Sequence, residues 1–330
     1  MIIAHSICVK LHTMNEGNMI DPVNNSETST PYAAVTGGMN MADTAGGKTT
    51  FYNNCGNDKT ISIIAGPCVF ENEDHAVMMA ESLREICAEI GDQYGTAINF
   101  LYKTSFDKAN RTSVDSFRGV SFDEAHYGMQ AVRELGIEVI TDVHDPWQCD
   151  AVCADIIQIP AFLCRQTDLL KAAAETGKPV NIKKGQFLSP REMEQVVLKL
   201  EHFGARQIMI TERGTTFGYN DLVVDMRSLE IMQAFPQAYP VIMDCTHAVQ
   251  SPGGMGAKSG GNREMAKVIA RSATAVGIAG LFMEVHDNPE IAPSDGPNMI
   301  RLRDVYGLLR NIVELDIIAK NFRKINRNVT

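Results

Sequence analysis

From Thr60 onward the chain alternates between two hydrophobic periods. Short apolar, β-branched runs fall at Ile61–Ala65, Ile98–Tyr102, Glu138–Asp142, Asp155–Pro160, Val180–Lys183, Gln207–Thr211, Val241–Asp244 and Leu281–Val285. Their length and composition predict buried strands. Between them, apolar residues recur every three to four positions in Glu73–Ile90, Phe122–Leu135, Gln166–Glu175, Pro190–Phe203, Met226–Ala234 and Asn262–Val276, which predicts amphipathic helices. Ser189-Pro190 with Glu192 reads as a cap followed by proline in the first turn. Gly91, Gly136, Gly177, Gly204 and Gly277 stand where helices should close. Strand-then-helix units repeated over about 270 residues predict a closed (β/α)8 TIM barrel. An open doubly wound sheet would carry a Gly-rich dinucleotide fingerprint after its first strand, and none is present.

Residues 1–58 break the pattern. They are rich in Asn, Thr, Gly and Met, as in Asn24-Asn25-Ser26-Glu27-Thr28, and hold no sustained period. A poorly ordered or loosely docked extension is expected there, ahead of a catalytic barrel over 59–330, and Met14 is an alternative start.

Composition narrows the function classes. With 330 residues, 45% of them hydrophobic, the chain can bury a large core, and a net charge of -10 argues against nonspecific nucleic-acid binding. An anionic substrate must then be held by a local cluster of Lys and Arg. The eight cysteines are scattered, which suits reduced, buried thiols in the cytoplasm better than a disulfide framework. No apolar run approaches the ~18–20 residues of a membrane helix.

In a parallel barrel the active site lies where the strands end. Here those ends carry Lys103, Lys108, Arg111, Lys183 and Arg213, which would form a basic basin for phosphates and a carboxylate. Cys68 follows strand one, His247 strand seven and Glu284 strand eight, with Asp295 in the loop beyond. Closure makes strands seven, eight and one neighbours, so the four side chains can meet. Such a set suits a divalent transition metal such as zinc, iron or manganese. Taken singly, each is more simply a buried thiol or a structural hydrogen-bonding group. The glycine-rich stretch from Ser251 to Gly261 reads as a lid or as a merely flexible connection.

At these positions the chain resembles the 3-deoxy-D-manno-octulosonate 8-phosphate synthase family, over about residues 60–320. The likeness rests on Lys103 to Thr112 (KTSFDKANRT), Gln158 to Leu169 (QIPAFLCRQTDL), Asn181 to Phe187 (NIKKGQF), Arg213 to Asp225 (RGTTFGYNDLVVD) and Ser259-Gly260-Gly261. The resemblance implies condensation of phosphoenolpyruvate with arabinose 5-phosphate for lipopolysaccharide inner-core synthesis. It assigns Lys103, Lys108, Gln158, Lys183 and Arg213 to phosphoenolpyruvate, and Asn110, Arg111 and Thr112 to the sugar phosphate. Lys103, Lys108, Asn110 and His247 become the candidate catalytic groups. Arg165 resembles a residue lent across a subunit interface, implying a homotetramer. Metal-independent members carry Asn where metal-dependent ones carry Cys after strand one, so Gly66-Pro67-Cys68 points to the metal-dependent branch. Gly37-Gly38-Met39-Asn40 spells the other string, but no strand-like run precedes it suitably. The nearest alternative is a 3-deoxy-D-arabino-heptulosonate 7-phosphate synthase acting on erythrose 4-phosphate. Those enzymes carry Lys-Pro-Arg-Thr-Ser at the sugar-phosphate loop, whereas this chain has Lys108-Ala109-Asn110-Arg111-Thr112.

Overall fold

All eight apolar runs become parallel strands of one sheet that closes on itself. The computed structural model describes residues 49–111, 113–251 and 260–327. The barrel strands are β1 (Ser62–Gly66), β2 (Phe100–Lys103), β3 (Val139–Asp142), β4 (Ile156–Ile159), β5 (Val180–Lys183), β6 (Ile208–Glu212), β7 (Val241–Asp244) and β8 (Gly280–His286). Each pairs with its sequence neighbour, and β8 returns to β1 with Ser62 opposite Gly280 and Gly66 opposite Glu284.

Side-chain alternation sorts the strands into two apolar layers. Residues such as Ile63, Val139, Ile157, Ile182, Ile210, Met243 and Leu281 face outward and pack under the helices. Ile64, Leu101, Ile140, Ile156, Met209, Ile242 and Phe282 face inward and fill the barrel. Two residues further along each strand the same inward face emerges at the mouth. That step takes Leu101 to Lys103, Ile140 to Asp142, Ile156 to Gln158, Ile242 to Asp244 and Phe282 to Glu284. The alternation that makes the core therefore also aims the polar groups.

The helices are α1 (Thr50–Asn54), α2 (Glu73–Tyr94), α3 (Phe122–Glu134), α4 (Gln148–Ala151), α5 (Thr167–Glu175), α6 (Met193–His202), α7 (Arg227–Gln233), α8 (Arg263–Val276) and α9 (Leu302–Arg327). The Ser189 capping box forms as expected, with Glu192 returning a bond to the Ser189 backbone. Gly91 does not close α2. The helix runs one turn further and ends on Gly95, at φ 63°. The long α9, which buries Val305, Leu309, Ile312 and Val313, was not among the expected helices.

Of the extension expected over 1–58, residues 1–48 lie outside the described residues, and with them Gly37 to Asn40. Residues 49–58 are not loose. Phe51 is fully buried among the inward-facing apolar residues, where it closes the floor of the barrel. Its backbone N–H donates to Glu138, and Asn99 donates to its carbonyl. Asn57 bonds both Tyr239 and Val241 at the start of β7. The floor needs an apolar plug, and these residues supply it.

Candidate active site and metal centre

The ends of β2, β3, β5, β6 and β7 bring four of the five expected cations together, Lys103, Lys108, Lys183 and Arg213, each with acids nearby. Lys103 Nζ donates to Asp142 Oδ1 (2.9 Å) and Ser105 Oγ (2.6 Å), and Lys108 Nζ donates to the same hydroxyl at 2.8 Å. Burial pulls the Lys103 pKa below the ordinary lysine value even with Asp142 adjacent. Lys183 Nζ is paired with Asp244 and sits 3.5 Å from the centroid of the Phe282 ring, a cation–π contact. Arg213 is almost fully buried; one nitrogen donates to the His247 carbonyl at 3.1 Å while Nη1 has no hydrogen-bond partner among the described residues. Gln158 Oε1 is likewise buried and unpartnered among the described residues. Unpaired buried polar atoms are uncommon, and several facing one mouth mark a place prepared for a polar ligand.

The second constellation forms where β7, β8 and β1 meet. Gly66 ends β1 so close to β2 that a Cβ there would sit 2.1 Å from the Lys103 carbonyl oxygen. Only glycine fits, and the turn carries Cys68 inward. Cys68 Sγ lies 3.1 Å from Ser294 Oγ and 3.4 Å from Asp295 Oδ2. Cys68, Glu284 and Asp295 each offer a ligand atom within 4.8 Å of the others. His247 Nε2 is 3.3 Å from Glu284 Oε1 and 3.8 Å from Asp295 Oδ2. Asp295 reaches this point from a left-handed backbone (φ 51°), with its carbonyl accepting from the Asn298 and Met299 amides. Aspartate tolerates that region better than most residues.

The chemistry of this set fits a divalent cation. His247 Nδ1 is 2.7 Å from Asp244 Oδ2, so its N–H points there and the Nε2 lone pair faces two carboxylates. That is the carboxylate–histidine arrangement that orients metal ligands. Three lone-pair donors converging on one another repel unless positive charge sits between them. Both Glu284 oxygens are buried without a hydrogen-bond partner among the described residues. A proton answers the same need in part: burial opposes charging His247, but Asp244 and Glu284 outweigh it and raise its pKa. Burial likewise opposes ionising Glu284, yet His247 and Lys108 prevail and hold its carboxyl at about 2. The Cys68 thiol is pushed well up, first by burial and then by Glu284. A cation would reverse that, because a coordinating thiol is deprotonated.

A sequence model of the DAHP synthetase I family matches residues 45–321. A 2-dehydro-3-deoxyphosphooctonate aldolase from Rhodopseudomonas palustris is 53% identical over 80% of this chain and 91% of its own length. Proteins with the same name from a Cyanothece species and from Bradyrhizobium diazoefficiens are 51% and 53% identical, covering 79% and 81% of this chain and 93% and 94% of their own lengths. The chain belongs to the DAHP synthetase I family, among its 2-dehydro-3-deoxyphosphooctonate aldolases.

In this family member the mouth is not the plain basic basin that its cations suggested. Lys103, Lys108, Lys183 and Arg213 share it with Asp142, Asp244, Glu284 and Asp295, so the positive charge is countered residue for residue. The acids were visible at the strand ends, and a buried cation needs a partner; that requirement could have found Asp142 and Asp244. Lys184 and Glu212 were also missed. The fully buried Lys184 donates to the Leu188 and Gly214 carbonyls and pairs with Glu212 at 3.3 Å, and Glu212 accepts the Arg213 and Gly214 amides. Together they fix the turn that carries Arg213. The remaining expected residues stand apart. Asn110 is exposed, Arg111 donates its Nε to the Phe117 carbonyl, and Thr112 lies outside the described residues. Arg165 is exposed, and no bond from its guanidinium to the mouth occurs among the described residues. Of the glycine-rich loop, 252–259 lie outside the described residues; its ends pair as Gln250–Ser251 against Gly260–Gly261.

Proposed function

We propose that the protein condenses phosphoenolpyruvate with D-arabinose 5-phosphate to give 3-deoxy-D-manno-octulosonate 8-phosphate and inorganic phosphate, a precursor of the lipopolysaccharide inner core. What carries the reading is one barrel mouth that gathers the buried cations and the Cys68 cluster, in a chain 53% identical to a 2-dehydro-3-deoxyphosphooctonate aldolase. C3 of the enol phosphate forms a bond to C1 of the sugar aldehyde while water adds at C2. The resulting hemiketal phosphate then loses phosphate by C–O cleavage.

Lys103, Lys108, Gln158, Lys183 and Arg213 would hold the carboxylate and phosphate of phosphoenolpyruvate, and the free Arg213 Nη1 is a donor without a present partner among the described residues. Because the three lysines are already fixed by acids, little reorganisation accompanies charge development at C2 and on the leaving phosphate. Asn110, Arg111 and Thr112 would hold the sugar phosphate at the outer edge. Cys68, His247, Glu284 and Asp295 would bind a divalent transition metal, which supplies a Lewis acid for the aldehyde or an anchor for water. Asp244 keeps the His247 proton on Nδ1, so that Nε2 stays directed inward. Arg165, exposed beside the half-exposed Phe162, suits a side chain lent to a neighbouring subunit of a homotetramer.

Phosphate release should require arabinose 5-phosphate and be at least tenfold slower with erythrose 4-phosphate; preference for the four-carbon sugar would sink the assignment. Chelation should lower activity by about 10²-fold or more, with recovery on adding Mn²⁺ or Co²⁺. Chelator-resistant activity would remove the metal while leaving the reaction intact.

A further inference from the structure

Beside the mouth, β8 ends on a second group of nitrogen and oxygen ligands that the proposed reaction does not use. His286 lies two residues past Glu284 on the same face, and its Nε2 is 2.6 Å from Glu71 Oε1. Glu71 follows Cys68 in the loop after β1. His75, in the first turn of α2, leans on His286 with ring centroids 4.8 Å apart. Glu71, His75 and His286 each offer a ligand atom within 4.8 Å of the others. Asp287 completes the group, its Oδ1 2.9 Å from His286 Nδ1 and 3.1 Å from His75 Nε2.

Each imidazole therefore sets one nitrogen against the same carboxylate oxygen and turns the other away. For His286 the other is Nε2, against Glu71. For His75 it is Nδ1, buried and without a hydrogen-bond partner among the described residues. Metal-ligating histidines are held in this way, with the far N–H on a carboxylate and the lone pair directed to the ion. A hydrogen-bonded strut alone accounts for the Glu71–His286 contact but leaves His75 Nδ1 unexplained. The Asn288 amide also reaches His286 Nδ1, at 2.9 Å. Binding an ion at Nε2 would require that contact to give way and the proton to move to Nδ1, where it would face Asp287.

We infer that Glu71, His75 and His286 form a second site for a divalent transition metal, with Asp287 as the shared outer carboxylate. Two imidazoles and one carboxylate suit zinc, iron(II) or manganese. Ligand atoms around a tetrahedral ion stand about 3.4 Å apart. To reach that spacing the widest separation closes by up to about 1.4 Å, while the 2.6 Å Glu71–His286 contact opens; Glu71, the most exposed of the three ligands, and His75 in the first turn of α2 would make the adjustment. The ion would clasp the loop carrying Cys68 to the strand carrying Glu284.

The test is metal stoichiometry in the full-length protein, stripped and then reloaded with Zn²⁺, with circular dichroism to verify folding. Wild type should bind two equivalents, Cys68→Ala/Asp295→Ala one, His75→Leu one, and the triple variant none. Loaded with Co²⁺, Cys68→Ala/Asp295→Ala should lack thiolate-to-cobalt absorption yet keep the visible bands of a nitrogen and oxygen site. No equivalent bound in Cys68→Ala/Asp295→Ala overturns the second site, whereas a single equivalent in wild type that persists in that variant would remove the Cys68 site instead. Those two proteins decide the question even if His75→Leu does not fold.

Discussion

The floor and the mouth of the barrel are built by the same strands, two residues apart along each. At the floor, Phe51, Ile64, Leu101, Ile140, Ile156, Met209, Ile242 and Phe282 make a dry apolar plug. At the mouth, the next inward positions are Lys103, Asp142, Gln158, Asp244 and Glu284, with buried atoms left unpaired. The floor contributes stability with no chemistry. The mouth holds charges that cost desolvation free energy and are arranged for ligands that carry the missing partners. One rule of alternation thus yields a stabilising end and an end that sacrifices stability for function, and substitutions at the two should fail in different ways.

The largest effect expected is at the mouth. Lys183→Met should lower kcat/KM by about 10²- to 10³-fold, the scale of losing one positioned stabiliser of developing charge. Asp244 keeps His247 and the Thr246 hydroxyl as partners, so the unfolding midpoint should move little. A large drop in midpoint with activity preserved would erase the contrast between the two ends. At the floor, Phe51→Ala should cost about 3–4 kcal/mol in denaturant unfolding, from lost burial plus the cavity left behind. Its kcat per folded molecule should be unchanged.

A pH experiment sharpens the comparison. The folded-state pKa of Glu284 is depressed to about 2 from an ordinary 4.5. Its contribution is therefore present above about pH 4.5 and lost as pH falls toward 2, amounting to about 3 kcal/mol. In metal-stripped protein, Glu284→Gln should flatten unfolding free energy against pH in that window. A curve that parallels wild type would mean Glu284 is not held ionised by its neighbours.

The barrel was legible because its strands are uninterrupted β-branched runs, and the meeting of Cys68, His247, Glu284 and Asp295 followed from closure alone. Other features depend on contacts that no local pattern records. Phe51 and Tyr52 stand in an Asn- and Gly-rich segment without a sustained period, and only the finished floor shows what Phe51 fills. Glu71 and His286 lie 215 residues apart and touch only once β8 pairs with β1. The counter-charges Asp142 and Asp244 were in view, but a count of cations overlooks that each buried one requires an anion. The α9 helix was readable from Val305, Leu309 and Ile312, whose spacing is helical.

Strand β8 carries Glu284 and His286 on one face, and its ladder to β1 sets Gly66 opposite Glu284. An insertion or deletion of one residue within β8 upstream of Glu284 would exchange its inward and outward faces. Glu284 and His286 would then leave the mouth together, replaced by Val285 and its neighbours, and each ligand group would lose a member. The two groups are thus inherited together: a lineage could lose either one by point substitution, but a one-residue length change in this strand upstream of Glu284 disrupts both at once.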